Sequence, residues 1–179
     1  MSLAAAPTSV LTVEDDPIVR ADLRLVLETA GFDVCPDARD GVEAVELARE
    51  HAPDVILLDL GLPRLGGVVA TRLILADRDV PIVALTGMSG ELVDEAMDAG
   101  VTSVVQKPFA GGAVVHALQD AVLARRRRTS REAIATLLGL PPAAVNVKAS
   151  TGNLDGMEGA GRGISATAVV VLGLRSSDS

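Results

Sequence analysis

Short apolar runs alternate along the chain with segments in which apolar residues recur every three or four positions. An apolar run bounded by polar residues predicts a strand, and the three-to-four spacing predicts a helix with one face towards the core. The predicted strands cover residues 9–14, 32–35, 53–60, 80–87 and 101–106, and the predicted helices cover 16–31, 40–51, 65–77, 89–100 and 110–128. Five strand–helix units in a row predict an α/β fold with an open, doubly wound, five-stranded parallel sheet.

Composition and charge indicate two parts of different character. Apolar residues make up 49% of the 179 residues, enough for a core, but there are two Phe and no Trp or Tyr. The core must therefore consist mainly of Ala, Val and Leu. Residues 1–124 contain 20 acidic and 8 basic residues, whereas residues 125–179 contain 4 acidic and 8 basic residues. An acidic first part and a basic second part favour two separate domains.

Cellular location is predicted from the cysteine count and the apolar runs. The single cysteine, Cys35, excludes an internal disulfide bond, as expected of a reducing compartment. The first residues, MSLAAAP, lack the features of a secretory leader, and no apolar run reaches the ~18–20 residues of a membrane span. We therefore expect a cytoplasmic protein with no membrane partner.

Polar residues stand at the carboxyl ends of four predicted strands. In open parallel α/β sheets, ligands bind beyond these strand ends. The residues are Glu14, Asp15 and Asp16 after the first strand, Asp59 at the end of the third, Thr86 after the fourth and Lys107 after the fifth.

These residue types suit phosphoryl transfer. Asp15, Asp16 and Asp59 could hold Mg²⁺, which prefers oxygen ligands and would remove the repulsion among consecutive acids. Asp59 is then a carboxylate nucleophile, Lys107 a mobile positive charge for a phosphoryl oxygen, and Thr86 a hydrogen-bond donor. Taken singly, an acid pair is commonly a solvated turn and an aspartate commonly caps a helix. Their order along successive strand ends favours a joint site.

Four stretches carry a resemblance to a known family. They are VEDDP at 13–17, ILLDLGLP at 56–63, LTG at 85–87 and QKPF at 106–109. With them, residues 8 to about 125 resemble the receiver domain of two-component response regulators. The resemblance implies a flavodoxin-like (βα)5 fold and a cis peptide bond before Pro108.

The same resemblance implies a mechanism and partners. Asp59 accepts a phosphoryl group from a histidine kinase or a phosphotransfer protein, Lys107 pairs with that group, and Thr86 moves towards it. The implied cofactor is Mg²⁺, with the ligands Asp15, Asp16, Asp59 and the backbone carbonyl of Gly61. The implied output is a signal to a downstream protein through the fourth helix, fifth strand and fifth helix, and a homodimer is left open.

Two positions depart from the family pattern. The fifth strand of such domains commonly carries an aromatic residue where this chain has Val104. Because valine cannot make the aromatic side chain's inward swing, we expect a muted or rebuilt output switch. Gly61 stands where a side chain usually lies beside the phosphorylation site. A glycine leaves attacking water less obstructed, so we expect faster dephosphorylation.

The tail is predicted as a separate part, with domains at 1–128 and 129–179. Its pattern predicts a helix over 129–140 capped by Thr129 or Ser130, a strand within 141–151, a Gly-rich loop and a strand over 164–174. A helix followed by two strands is no helix-turn-helix, so we expect no direct DNA binding. The basic run Arg125–Arg128 is interpreted as the solvated last turn of the preceding helix, with nucleic-acid binding as the alternative.

The tail also carries a second resemblance. LGLPPAAVNVKAST and GRGISATAVVVL, within about 131–174, resemble the carboxyl-terminal end of 2-C-methyl-D-erythritol 2,4-cyclodiphosphate synthase. Lys148, Ser150 and Thr151 match the segment that helps to hold the nucleotide diphosphate in that family. Its metal site of Asp-x-His plus a further His is missing, so we expect no synthase activity.

The sequence thus predicts a phosphoacceptor response regulator that is not an enzyme beyond its own phosphorylation and dephosphorylation. One alternative is a pseudo-receiver that takes no phosphate and acts as a binding module. The other, less favoured, is a fragment of the isoprenoid-pathway cyclase.

Overall fold

The computed structural model describes residues 6–87 and 90–147. Its strands are β1 (Ser9–Val13), β2 (Asp33–Val34), β3 (Val55–Asp59), β4 (Ile82–Thr86) and β5 (Ser103–Gln106). Its α-helices are α1 (Pro17–Thr29), α2 (Gly41–His51), α3 (Gly67–Asp77), α4 (Glu91–Asp98) and α5 (Gly111–Leu138). Strands and helices alternate as predicted from β1 to α5.

The five strands form one parallel sheet in the order β2-β1-β3-β4-β5. The chain starts next to the centre, winds to one edge through β2, and then winds to the other edge through β3, β4 and β5. This order confirms the predicted doubly wound α/β fold. The reversal of winding lies between β1 and β3, where sheets of this type bind their ligands.

Both faces of the sheet are buried, as the continuous apolar runs predicted. Alternate residues of each central strand point to opposite faces. On β3, Ile56 and Leu58 belong to a cluster with residues of α2, α3 and α4. Val55 and Leu57 belong to the cluster that contains residues of α1 and α5. The sheet is therefore held between two apolar layers, and its carboxyl edge forms a fixed platform for loops.

The helix at the end of the receiver-like part is longer than predicted. The structure has one helix, α5, from Gly111 to Leu138, so the prediction of two helices at 110–128 and 129–140 was wrong. Thr129 and Ser130 lie inside the helix and cap nothing. No Gly or Pro separates the two predicted segments, and each interior Thr or Ser costs only about 0.5 kcal/mol of helix propensity.

The chain divides into two compact units, with the boundary between Leu123 and Ala124. Within the described part of the second unit, α5 is followed by a 3₁₀ turn at Pro142–Ala144, and residues 145–147 form no strand. The remainder of the strand predicted within 141–151, the Gly-rich loop and the final strand lie outside the described residues. Lys148, Ser150 and Thr151 lie there too. The domain boundary at 128/129 stays a prediction.

Membrane insertion finds no support among the described residues. No helix in that part of the chain is long and apolar enough to cross a bilayer.

Candidate functional site

The fold brings two acids and one lysine together at the carboxyl edge of the sheet. Glu14 follows β1, Asp59 ends β3 and Lys107 follows β5. The Lys107 Nζ lies 2.7 Å from Asp59 Oδ2 and 2.8 Å from Glu14 Oε2. Glu14 is only 1% exposed and Asp59 is also buried. The ammonium group therefore lies between two buried carboxylates and reduces their mutual repulsion.

Asp15 completes a cluster of three carboxylates. One carboxylate oxygen from each of Glu14, Asp15 and Asp59 lies within 4.8 Å of the others. Asp15 is exposed, whereas the other two are buried. Two buried oxygens and one solvent-facing oxygen form a half-open set of hard ligands, which suits a cation that keeps some of its water.

Asp16 lies outside this cluster and serves the backbone instead. Its Oδ1 accepts hydrogen bonds from the amides of Ile18 at 2.7 Å and Val19 at 3.2 Å. It is thus the N-cap of α1, with Pro17 at the first helical position. One carboxylate oxygen of Asp16, a residue expected to bind Mg²⁺, thus satisfies two free amides of the first turn.

Glu14 is the site residue that the sequence reasoning missed. It was counted among the acids after β1, but the expected metal ligands were Asp15, Asp16, Asp59 and the carbonyl of Gly61. A usable signal was present, because proline is favoured at the first helical position and the residue before it then becomes the cap. Pro17 therefore pointed to Asp16 as the cap of α1 and left the two preceding acids for the sheet edge.

Burial and charge alter the acid–base properties of the pair that Lys107 bridges. Burial raises the pKa of Glu14, while the hydrogen bond from Lys107 opposes this shift and the charge of Asp59 adds to it. Burial would lower the pKa of Lys107, but the hydrogen bonds to Asp59 and Glu14 outweigh it, so the Lys107 pKa is raised. Lys107 is therefore held as a cation.

Gly61 lies beside the acidic end of β3. Its amide donates to Asp59 Oδ1 at 3.0 Å, while Lys107 takes the other oxygen of the same carboxylate. A Cβ at Gly61 would lie 3.6 Å from Asp59 Oδ1, an ordinary contact distance. A side chain at this position would thus begin within contact distance of the carboxylate, and glycine places no side-chain atom there.

Thr86 and Val104 lie on the neighbouring strands. Thr86 is buried at the end of β4, and its carbonyl accepts the amide of Lys107 at 2.7 Å. This bond fixes the start of the segment that carries the lysine, and the Lys107–Pro108 peptide is cis as expected. Val104 is half-buried against the core cluster next to α2, α3 and α4.

One further residue supports the acidic loop. Arg20, on α1, donates from Nη1 to the carbonyl oxygens of Glu14 and Asp15. The guanidinium thereby fixes the backbone of both acids, a role that no sequence motif singled out.

A doubly wound five-stranded sheet with an acidic cluster and a lysine beyond its strand ends defines a flavodoxin-like receiver. The family model described as response regulator receiver domain matches residues 10–119, more than half of the chain. The chain therefore belongs to the response regulator receiver domain family and to two-component signalling.

Curated relatives include regulators and enzymes. The transcriptional regulatory protein PdtaR of Mycobacterium tuberculosis is 40% identical over 136 residues, 75% of this chain and 66% of that protein. PrrA of Mycobacterium bovis, also a transcriptional regulatory protein, is 33% identical over 88% of this chain and 67% of that protein. A protein-glutamate methylesterase/protein-glutamine glutaminase of Nitrosospira multiformis is 41% identical, but over 30% of its own length.

Solved structures agree with the fold. The receiver domain of a sensor histidine kinase from Pseudomonas aeruginosa, with magnesium in its active-site cleft, is 34% identical with a TM-score of 0.60. The match covers 65% of this chain and 98% of that one. Chemotaxis protein CheY4 of Vibrio cholerae is 29% identical with a TM-score of 0.62, over 65% of this chain and 99% of that one.

A second family model, described as YgbB family, matches residues 112–173. This match overlaps the tail for which the synthase resemblance was noted. It begins inside α5, so the two family matches share part of one helix.

Proposed function

We propose that this chain is a phosphoacceptor response regulator that takes a phosphoryl group on Asp59 from a histidine kinase or a phosphotransfer protein. The observation that carries the proposal is the bridge from Lys107 Nζ to both Asp59 and Glu14 at 2.7 and 2.8 Å. A fixed cation beside a carboxylate nucleophile is the arrangement that phosphoryl transfer requires, since its catalysis is mainly positioning and charge neutralisation.

The donor set fits Mg²⁺. Three carboxylate oxygens lie close enough to share one cation, and a single lysine leaves them with excess negative charge. We propose Glu14, Asp15 and Asp59 as the side-chain ligands, with the Gly61 carbonyl as a backbone ligand and without Asp16. When bound, Mg²⁺ would neutralise charge on the phosphoryl oxygens and orient the group.

Asp59, Lys107 and Thr86 have separate roles in the proposed reaction. A carboxylate oxygen of Asp59 attacks the phosphorus, the bond from phosphorus to the donor's imidazole nitrogen breaks, and the imidazole leaves with the bond's electron pair. Lys107 exchanges its bond to Asp59 for one to a phosphoryl oxygen. Thr86 donates its hydroxyl to another oxygen and reports that the group is present. Water later attacks the phosphorus, the bond from phosphorus to the Asp59 oxygen breaks with its electron pair left on the carboxylate, and inorganic phosphate leaves with the proton of the water.

The output we propose is a signal to a protein partner through α4, β5 and α5. Two relatives are named transcriptional regulatory proteins, but the described residues of the tail supply no helix-turn-helix, so we propose no direct DNA contact. The match to the methylesterase covers only 30% of that protein, which is too little to suggest the same enzyme activity here. A homodimer and a pseudo-receiver acting without phosphate are the alternatives to be tested.

The test is the intact mass of the full chain after incubation with Mg²⁺ and acetyl phosphate. An adduct of one phosphoryl group is expected in the parent protein and in Asp16→Asn. None is expected in Asp59→Asn. Absence of an adduct from the parent, even in rapidly quenched samples, would favour the pseudo-receiver.

The YgbB match gives one specific reason to test the synthase alternative. Zinc content of the purified chain is the measurement. We expect substoichiometric zinc, and stoichiometric zinc would return the synthase to consideration.

A further inference from the structure

The loop from the end of β3 to the start of α3, residues 60–66, carries Gly61 past the phosphorylation site. Its amide at Gly61 donates to Asp59, and its side chain at Leu62 is buried in the core. The conformation of this β3–α3 loop therefore decides where the backbone of Gly61 stands relative to Asp59.

The far side of the loop is tied to α2 by an ion pair. Arg64 Nη1 donates to Asp40 Oδ2 at 2.7 Å. Asp40 is only 3% exposed, and its other oxygen accepts the amides of Val42 at 2.8 Å and Glu43 at 3.0 Å. Those amide bonds, that of Glu43 foremost, help to lower the pKa of Asp40. The partner of Arg64 is thus a carboxylate fixed by a helix N-terminus.

The backbone of the loop is strained at the same residue. Arg64 has a φ of 63°, in the left-handed region that residues with a Cβ seldom occupy. The next residue packs tightly, since a Cβ on Gly41 would lie 2.1 Å from the Leu65 carbonyl oxygen. A strained backbone conformation persists only where the surrounding structure holds it in place, and such residues are concentrated at functional sites.

Stability alone does not explain why an arginine occupies this position. Its own side chain is 64% exposed, whereas the Asp40 carboxylate with which it pairs is only 4% exposed. Asn or Gly would adopt the same backbone with less strain. The ion pair joins this left-handed position of the loop to Asp40, the cap of α2.

We propose that Arg64 is a positioning residue, which through Asp40 holds the β3–α3 loop where Gly61 meets Asp59 and so sets the Mg²⁺ affinity and the phosphoryl lifetime. This inference rests on the proposed function. It concerns a residue that lies between the phosphorylation loop and α2 and takes no direct part in the phosphoryl transfer proposed above.

The test compares four single variants and one double variant of the full chain with the parent. Arg64→Asn keeps a residue suited to the left-handed backbone and removes the charge. Arg64→Lys keeps the charge but lacks the planar guanidinium group with its several N–H donors. Asp40→Asn keeps an oxygen for the cap. Arg49→Asn is the matched control, because Arg49 pairs with Asp77 at 2.5 Å on the ends of α2 and α3.

Three quantities are measured: the Mg²⁺ dissociation constant by calorimetry, the free energy of unfolding in urea, and the Gly61 amide resonance without metal. In Arg64→Asn we expect Mg²⁺ binding about tenfold weaker, as for other residues that orient metal ligands. Its Gly61 resonance should shift, and its unfolding free energy should be at most slightly lower, because relief of the left-handed backbone strain partly offsets the lost ion pair with the buried Asp40. Arg64→Lys should be intermediate, and Asp40→Asn combined with Arg64→Asn should lose no further affinity.

Unchanged affinity and an unshifted Gly61 resonance in Arg64→Asn would overturn the positioning role. An equal loss in Arg49→Asn would overturn it too, since the effect would then be general. If the parent itself binds no Mg²⁺, the proposed function fails, and a Gly61 resonance that stays in place in Arg64→Asn separately overturns the inference about the loop.

Discussion

Three consecutive carboxylates follow β1, and the fold gives each a different environment. Glu14 is buried against Lys107, Asp15 faces solvent beside it, and Asp16 caps α1. A charge pattern alone does not distinguish these environments, because the path of the backbone after the strand decides which side chain turns towards the sheet edge. The helix start set by Pro17 supplies that information.

Removing each exposed acid in turn tests these different roles. Asp16→Ala should lower the free energy of unfolding by about 1 kcal/mol, the usual loss for an N-cap, and leave Mg²⁺ affinity within about twofold. Asp15→Ala should weaken Mg²⁺ binding while leaving stability without metal almost unchanged. Urea unfolding and calorimetry measure both quantities. Loss of Mg²⁺ binding in Asp16→Ala would restore it as a ligand.

The sequence predicted several of the side chains that the fold brings together at the candidate site. Asp59, Lys107 and Asp15 meet as the order of the strand ends indicated, and Thr86 ends β4 on the strand between those that carry Asp59 and Lys107. Arg20 and Arg64 were not predicted. Their partners are backbone carbonyls and a distant cap, and such contacts exist only once loops from different elements have packed together.

The open position at Gly61 predicts a short-lived phosphoryl group. Gly61→Gln should lengthen the lifetime at least about threefold, or ~0.7 kcal/mol in activation free energy, because the side chain would begin within contact distance of Asp59 and obstruct water. Decay of the phosphorylated mass with time measures it. Gly112→Gln, in open space on α5, is the control. Equal decay rates in Gly61→Gln and the parent would show that residue 61 does not control the access of water to the phosphoryl group.

Asp40 gives the stability a defined acid dependence. Its pKa is lowered from the ordinary value of 3.8, foremost by the Glu43 amide. Its contribution is therefore fully present above pH 3.8 and is lost as the pH falls through the lower folded-state pKa. As the pH falls from about 6 to below the folded-state pKa of Asp40, the unfolding free energy of the parent should decrease by more than that of Asp40→Asn. Parallel curves in urea titrations would contradict this assignment.

At the scale of elements, the alternating pattern located all five strands and the first four helices. It erred at α5, where residues that commonly mark a helix start, Thr129 and Ser130, lie in the interior. Propensity differences of that size are overridden when good helix formers flank them, and Arg, Ala and Leu do so here. The Arg125–Arg128 run therefore lies mid-helix, and dipole compensation at a last turn no longer explains it.

A proline at Arg131 distinguishes one helix from two. If Ser130 were an N-cap, Arg131→Pro would stand at the tolerated first position. In a continuous helix the ring clashes with the preceding turn and removes a hydrogen bond, so we expect a loss of about 3 kcal/mol in local helix stability. Far-ultraviolet circular dichroism should show reduced helix content relative to Arg131→Ala. Equal spectra would support two helices.

At the scale of the whole molecule, the sheet order followed from the connections. Parallel strands with right-handed helical crossovers leave few arrangements, and the winding reversal then places the site. The boundary between the two units was harder to predict from the sequence. The net charge changes sign near residue 125, but this change reflects composition alone, and α5 continues through it.

Cation binding should stabilise the folded receiver as a whole. At a Mg²⁺ concentration about a hundred times the dissociation constant, the unfolding free energy should rise by about 2.7 kcal/mol, because only the folded state assembles the carboxylates. Thermal and urea unfolding with and without Mg²⁺ measure this rise, and Asp15→Asn is the control. An unchanged midpoint in the parent would contradict a preformed cation site.

The two borders of the sheet are short. β2 contributes two residues at one edge and β5 four at the other. Unpaired backbone groups along a border are templates on which a further chain can add a strand and aggregate. A ladder of two to four residues offers such a chain few hydrogen bonds, so each border of the receiver sheet is a poor template for an added strand.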